Sequence, residues 1–228
     1  MSIDRISLSH TKMIKGIVFD CDGVILDSEP LFTKAFEMQK ASYAFPIKER
    51  DPAELIGTTL WESCRIVLED NPQIGKTLDE FLAEHLHYIG LVLMGDDLVP
   101  MDEFVEFARE QYNKGKKLAV ASSSPKDYVL HKLKLFGVED CFSVVVSGDD
   151  ISRSKPDPEI YEVAAEKLGL PKEEIIAIED AYYGIKSAKA AGLYTIGFKG
   201  STITQNTSEA DEEVYGFSEI QILKADDH

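Results

Sequence analysis

Residues Gly16 to Pro30 read GIVFDCDGVILDSEP, an apolar run that stops at two aspartates, Asp20 and Asp22, and then meets Gly23. Gly16 to Phe19 predicts a buried strand, and charge directly after it marks where that strand leaves the core. Side chains two apart on an extended backbone point the same way, so Asp20 and Asp22 are expected to face one shared site. Such a pair can act as a nucleophile and an acid–base partner. It can equally be two turn-forming acids before a glycine, a common sequel to any strand.

Outward from this stretch the chain alternates between strand and helix, with one helical interruption. Leu31 to Met38, Leu60 to Leu68 and the run Leu78, Phe81, Leu82, His85, Leu86, Ile89 all carry apolar residues at steps of three and four. From about residue 30 to residue 95 the chain reads as all-helical, with Asp51-Pro52 marking a helix start. Beyond Gly95, strands are expected at Lys117 to Ala121, Phe142 to Val146, Ile175 to Ile178 and Leu193 to Phe198. Helices are expected at Phe104 to Tyr112, Tyr128 to Phe136, Pro158 to Leu168 and Ala181 to Ala190. The last segment, from about Thr202, is read as a short strand near Val214 to Phe217 and a terminal helix. Short apolar strands separated by helices predict an α/β fold, a Rossmann-like mostly parallel sheet core with a small inserted α-helical domain. Residues 12–30 and 95–228 are assigned to the core and residues 31–94 to the insert.

Composition restricts the partners. The 228 residues include 24 Lys plus Arg against 41 Asp plus Glu, a formal net charge of −17. Nucleic acid and anionic membranes both reward basic patches, so neither is expected as a partner, and an anionic substrate needs a local cation to offset the field. Cys21, Cys64 and Cys141 are widely spaced with no CxxC pair, and no apolar stretch reaches the roughly twenty residues of a membrane span. A cytoplasmic protein is expected, acting as a monomer or, alternatively, a dimer. Cys21, between the two aspartates, is expected to turn away from them into packed interior.

In a parallel sheet the functional site lies at the carboxyl ends of the strands. Those ends carry Asp20 and Asp22, then Ser122, Ser123 and Ser124, then Glu179 and Asp180, while Lys155 falls in the loop SRSKPDPEIY after the third expected strand. Each signal alone has an ordinary reading as a cap, a solvated lysine or favourable dipole chemistry. Together they suit phosphoryl transfer, because a phosphate monoester resists attack until its oxygens are neutralised. Mg2+ can be held by Asp20 and Asp180 with the main-chain carbonyl of Asp22, and Lys155 with the Ser122 hydroxyl adds charge and hydrogen bonds. Asp20 is then the candidate nucleophile and Asp22 the candidate acid and base.

FDCDGVILDSEP, LAVASSS, SKPDPEIY and IAIEDAYYGIKSAKAAG, in that order, resemble the four motifs of the haloacid dehalogenase-like hydrolases. The branch is the one with a helical cap after the first motif, which includes phosphoglycolate phosphatase-like enzymes and beta-phosphoglucomutase. The resemblance runs from about Ile14 to Phe198. It implies the roles above for Asp20, Asp22, Lys155 and Asp180, phosphate binding by Ser122 and Ser123, and support of the metal by Glu179. An acid at Asp22 argues against dehalogenation, which needs no protonated alkoxide.

The resemblance also implies that the insert, as a cap, sets substrate choice. Glu29, Phe32, Phe36, Thr58, Thr59 and Trp61 are the candidates to face a small phosphorylated metabolite, each with core packing as the competing role. A mutase of this branch carries a cap arginine where Leu60 stands and a histidine where Phe32 stands, so a phosphatase is expected. Lys76 or Arg65 could still act from the insert, which keeps the mutase open. A non-catalytic binding or regulatory protein on the same scaffold is a further alternative. His85 and His87 do not share a helix face and are not expected to bind metal.

Overall fold

The run Gly16–Phe19 is buried along its whole length and forms strand β1 of a six-stranded sheet. The computed structural model describes residues 14–50, 60–96, 98–202 and 205–222. The chain divides into two units, one made of residues 1–29 with 96–228 and the other of residues 30–95.

In the larger unit β1 is followed by β2 (Lys117–Ala121), β3 (Phe142–Val146), β4 (Ile175–Glu179), β5 (Tyr194–Phe198) and β6 (Glu212–Val214). Their spatial order is β3-β2-β1-β4-β5-β6 and every pairing is parallel, so the mostly parallel sheet expected from the sequence is wholly parallel. Alternation along β1 sends its side chains to opposite faces. Val18 joins Ala119, Ala121 and Val146 in a cluster closed by Ile160, Ala164 and Leu168. Phe19 meets Phe104 and Phe107 edge-on, with ring centroids at 5.8 and 6.2 Å.

The smaller unit contains α1 (Glu29–Ala41, which begins one residue before it), α2 (Leu60–Asp70) and α3 (Leu78–Leu93), and no strand among its described residues. Thr77 and Glu80 close a reciprocal capping box that starts α3. The stripe predicted for this helix buries Phe81, His85 and Ile89. Phe81 packs with Cys64 and Ile74, and Phe36 packs against the same cluster. His85 is held by Gln39, Nδ1 to Oε1 at 2.7 Å, while His87 is exposed.

Helices α4 (Phe104–Asn113), α5 (Lys126–Leu135), α6 (Glu159–Leu168) and α7 (Tyr182–Ala190) precede β2, β3, β4 and β5 respectively, as parallel connections require. After β6 the expected terminal helix is absent among the described residues, where a single 3₁₀ turn, Phe217–Glu219, is found instead. Phe217, Ile220 and Ile222 are buried, and three apolar residues spaced by three and two anchor a covering loop better than a helix face. Phe217 lies on Phe198 and Phe107, with centroids at 4.8 and 5.1 Å. Among the described residues no helix is long and apolar enough to cross a membrane.

Candidate active site

The strand order reverses beside β1, since β2 lies on one flank and β4 on the other. Connections leave these two strands in opposite directions, which opens a crevice at their carboxyl ends. Register fixes what stands there. Phe19 pairs with Ile178, and the Asp20 amide donates to the Ile178 carbonyl at 2.9 Å. Asp20 therefore emerges beside Glu179 and Asp180, and oxygens of all three carboxylates lie within 4.8 Å of one another.

Lys155 enters this cluster from the loop before α6. Its ammonium donates to Asp20 Oδ1 and Glu179 Oε1, each at 2.6 Å, and to the Ala121 carbonyl at 3.3 Å. The loop is itself tied down: Glu159 accepts from the Ser152 and Arg153 amides at 3.1 and 2.9 Å, and Ser187 Oγ donates to the Asp157 carbonyl at 2.6 Å. Glu179 is fully buried and also accepts from the Ala181 amide at 2.7 Å.

One ammonium faces three buried carboxylates, so negative charge is in excess. Burial, against the pull of Lys155 and with the push of Glu179, raises the Asp20 carboxyl to about 8. Burial, then Glu179 and Asp20, raise Asp180 to about 9. Burial works against the Lys155 charge, but Asp20 and Glu179 overcome it and hold the ammonium well above its ordinary value. Buried carboxylates of this density are stable when something offsets their repulsion. An all-oxygen, anionic donor set fits a hard divalent cation.

Two glycines permit the crowding. Gly23 has φ +85°, and a Cβ there would stand 2.0 Å from Asp180 Oδ2. At Gly184, in the first turn of α7, a Cβ would stand 1.5 Å from Glu179 Oε1.

Asp22 belongs to a different network. Extended pairing in β1 ends at Phe19, and Asp22 sits in a turn where the Ile25 amide donates to the Cys21 carbonyl at 2.8 Å. Strand alternation does not extend to it, yet it stays close enough that its charge helps raise the Asp20 carboxyl. The Asp22 carboxylate lies outside the three-carboxylate cluster, and its expected part in a metal site was through the main-chain carbonyl. Its Oδ2 accepts from Ser124 Oγ at 2.7 Å and its Oδ1 from the Tyr128 hydroxyl at 2.6 Å. Cys21 is buried, and burial followed by the Asp22 and Asp20 charges pushes its thiol well up, as suits inert packing.

Of the three serines, Ser122 is buried, its amide donating to the Val146 carbonyl at 3.0 Å and its Oγ accepting from the Ser124 amide at 3.1 Å. Ser123 is exposed. In the helical unit Phe32 and Trp61 are exposed, whereas Phe36 packs into that unit's own core beside His85. Thr58 and Thr59, with the side chain of Glu29, lie outside the described residues. Arg65 is engaged by Glu62 and Glu69, and Lys76 by Glu84 at 2.7 Å.

Strand ends point to Ser124 but not to Tyr128 and Lys132 as partners of the site. Tyr128 stands 106 positions from its partner Asp22, a distance that no local pattern spans. One signal is present: Tyr128 and Lys132 are four apart, so they share the face of α5 that buries Val129 and Leu133. A lysine on an apolar face calls for an explanation.

Comparison with known proteins identifies the family. A sequence profile described as haloacid dehalogenase-like hydrolase matches residues 17–198. A phosphorylated carbohydrates phosphatase of Thermotoga maritima is 32% identical over 186 residues, covering 80% of this chain and 84% of the relative. Pyrophosphatase PpaX of Listeria innocua is 31% identical over 189 residues, covering 82% of this chain and 84% of the relative. Among solved structures, a Thermotoga maritima protein described as a candidate beta-phosphoglucomutase is similar at a TM-score of 0.76 and 29% identity, covering 88% of this chain and 94% of that one.

Proposed function

The chain belongs to the haloacid dehalogenase-like hydrolases, and from that premise we propose that it is a magnesium-dependent phosphatase that hydrolyses a small phosphorylated metabolite, a sugar phosphate or similar monoester, through an aspartyl phosphate. The observation that carries this reading is the buried Asp20 carboxylate, gripped by Lys155 at 2.6 Å in a cluster with Glu179 and Asp180. Nothing in a purely structural role calls for three buried acids around one lysine, whereas holding a divalent cation beside a nucleophilic carboxylate does.

Asp20, Asp180 and the Asp22 carbonyl would hold Mg2+, with Glu179 in support. The ion, when bound, supplies the positive charge that keeps Asp20 ionised and offsets the phosphate oxygens. Asp20 attacks phosphorus, the bond from phosphorus to the ester oxygen breaks, and the departing oxygen takes the proton of the Asp22 carboxyl. Water then attacks the aspartyl phosphate and gives its proton back to Asp22, and the bond from phosphorus to the Asp20 oxygen breaks to release inorganic phosphate. Lys155 and the Ser122 hydroxyl are assigned to the phosphoryl oxygens, with Ser123 alongside. Substrate choice is assigned to the helical unit as a cap, where Phe32 and Trp61 offer exposed aromatic surface. Three buried free cysteines support a reducing, cytoplasmic setting.

The test is phosphate release from p-nitrophenyl phosphate with and without Mg2+. Activity that requires the metal and falls at least about a hundredfold in Asp20→Asn is expected. An Asp20→Asn protein as active as the parent would sink the mechanism. The resemblance to a candidate beta-phosphoglucomutase supports a second reading, separated by supplying beta-glucose 1-phosphate with a trace of bisphosphate. Glucose 6-phosphate formed without free phosphate would favour the mutase.

A further inference from the structure

Lys132 is the least explained buried group in the core unit. It is fully buried in α5, and its Nζ has no hydrogen-bond partner among the described residues. An ammonium buried without a hydrogen-bond partner is destabilising, so a compensating electrostatic role is expected. The nitrogen lies 4.5 Å from the centroid of the Tyr128 ring. A cation over a ring face is attracted by its π electrons, and by drawing that density it makes the phenolic hydroxyl a stronger donor. That hydroxyl donates to Asp22 Oδ1 at 2.6 Å, and Ser124 Oγ takes the other oxygen at 2.7 Å.

We propose that Ser124, Tyr128 and Lys132 are positioning residues for the acid–base carboxylate of Asp22. The two hydroxyls fix both of its oxygens, and the buried ammonium strengthens the phenol's hold from beneath. The inference rests on the reading of Asp22 as acid and base. Several features bear it out together. Both Asp22 oxygens are taken by side chains from one short segment, so the carboxylate's orientation is set by the start of β2's outgoing loop and the first turn of α5. Tyr128 is itself buried, which removes competing water from its hydrogen bond. Burial lowers the Lys132 ammonium to about 8, with the nearby Asp22 and Asp96 charges opposing that fall.

A leaving-group comparison isolates this role. Departure of p-nitrophenolate needs little protonation, whereas an alkoxide needs a well-placed acid, and kcat/KM reports the step in which that group leaves. The full-length protein is assayed with magnesium on glycerol 2-phosphate and on p-nitrophenyl phosphate. Tyr128→Phe is expected to lower kcat/KM for the alkyl ester about tenfold more than for the aryl ester, and Ser124→Ala to act in the same direction, with Ser124→Thr restoring the parent ratio. Lys132→Met is expected to shift the ratio in the same direction by a smaller factor, about threefold, with no loss of melting temperature, because it removes a buried unpartnered charge. If Lys132 acts through the phenol, it adds nothing further in a Tyr128→Phe background.

Asp22→Asn separates failure of the acid role from failure of the positioning role. If it leaves the ratio at the parent value, Asp22 is not the acid and the positioning role falls with that reading. If it shifts the ratio while folded Tyr128→Phe, Ser124→Ala and Lys132→Met do not, Asp22 is the acid and the positioning role is wrong. Should Tyr128→Phe fail to fold, the variants at half-buried Ser124 decide the same question.

Discussion

The closest packing in the site falls on a residue with no side chain. A methyl group at Gly184 would overlap Glu179, 1.5 Å from Oε1 and 2.0 Å from the carboxyl carbon. Glu179 cannot retreat, because Lys155 and the Ala181 amide hold its two oxygens at 2.6 and 2.7 Å. Gly184→Ala is therefore expected to cost about 1–3 kcal/mol of stability, the usual penalty for overpacking. On the role proposed for Glu179, it should also weaken Mg2+ binding by displacing that acid. Urea denaturation and calorimetric titration with MgCl2 measure the two effects, and unchanged Mg2+ affinity would remove Glu179 from the metal site. At this scale Asp20, Glu179 and Asp180 are legible because each sits at or beside a strand end that apolar runs locate, and Lys155 because it lies in the loop that follows β3. Ser124 and Tyr128 were not legible as partners of Asp22, since their contacts depend on how α5 lands beside β1. Alternation alone does not carry the prediction that Asp20 and Asp22 share a site, because it holds only while the backbone stays extended, and β1 stops at Phe19.

The strands and helices of the core followed from apolar runs of four or five residues between helical periods, a pattern that a doubly covered parallel sheet imposes on every strand. The chain's end lacked that redundancy. Glu212–Val214 is a three-residue edge strand, and the segment after it has too few apolar positions to declare a period. Tertiary contact anchors it: Phe217 is almost wholly buried against Phe198 of β5 and Phe107 of α4. Truncating a buried phenylalanine typically costs about 3–5 kcal/mol through lost transfer energy and the cavity left behind. Phe217→Ala is expected to fall in that range in equilibrium urea unfolding. A change below about 1 kcal/mol would mean that the loop is an appendage and that the sheet face is stable without it.

Charge acts on the molecule as a whole. The protein carries a net charge of −17 and gathers three of its carboxylates into one buried cluster, where Lys155 is the one cation among the described residues to pair with them. The consequence for stability has a definite sign. Asp20 and Asp180 are raised, chiefly by burial, to about 8 and about 9, against about 3.9 in an unfolded chain. The folded state then binds more protons than the unfolded state across that interval, so stability falls as pH rises. Stability from these groups is fully present below about pH 4 and is lost progressively up to about pH 9. On the proposed metal site a divalent cation would compete for the same oxygens and displace those protons, so its stabilising effect would grow as pH rises through the same window. Melting curves in EDTA are expected to shift down in temperature from about pH 6 to about pH 9, and the gain on adding saturating MgCl2 to increase over that range. In Asp180→Asn, which removes one carboxylate and relieves the repulsion on Asp20, both slopes should flatten. A magnesium-induced shift that is the same at every pH would show that the cation binds away from Asp20 and Asp180, and the metal site would have to be sought elsewhere.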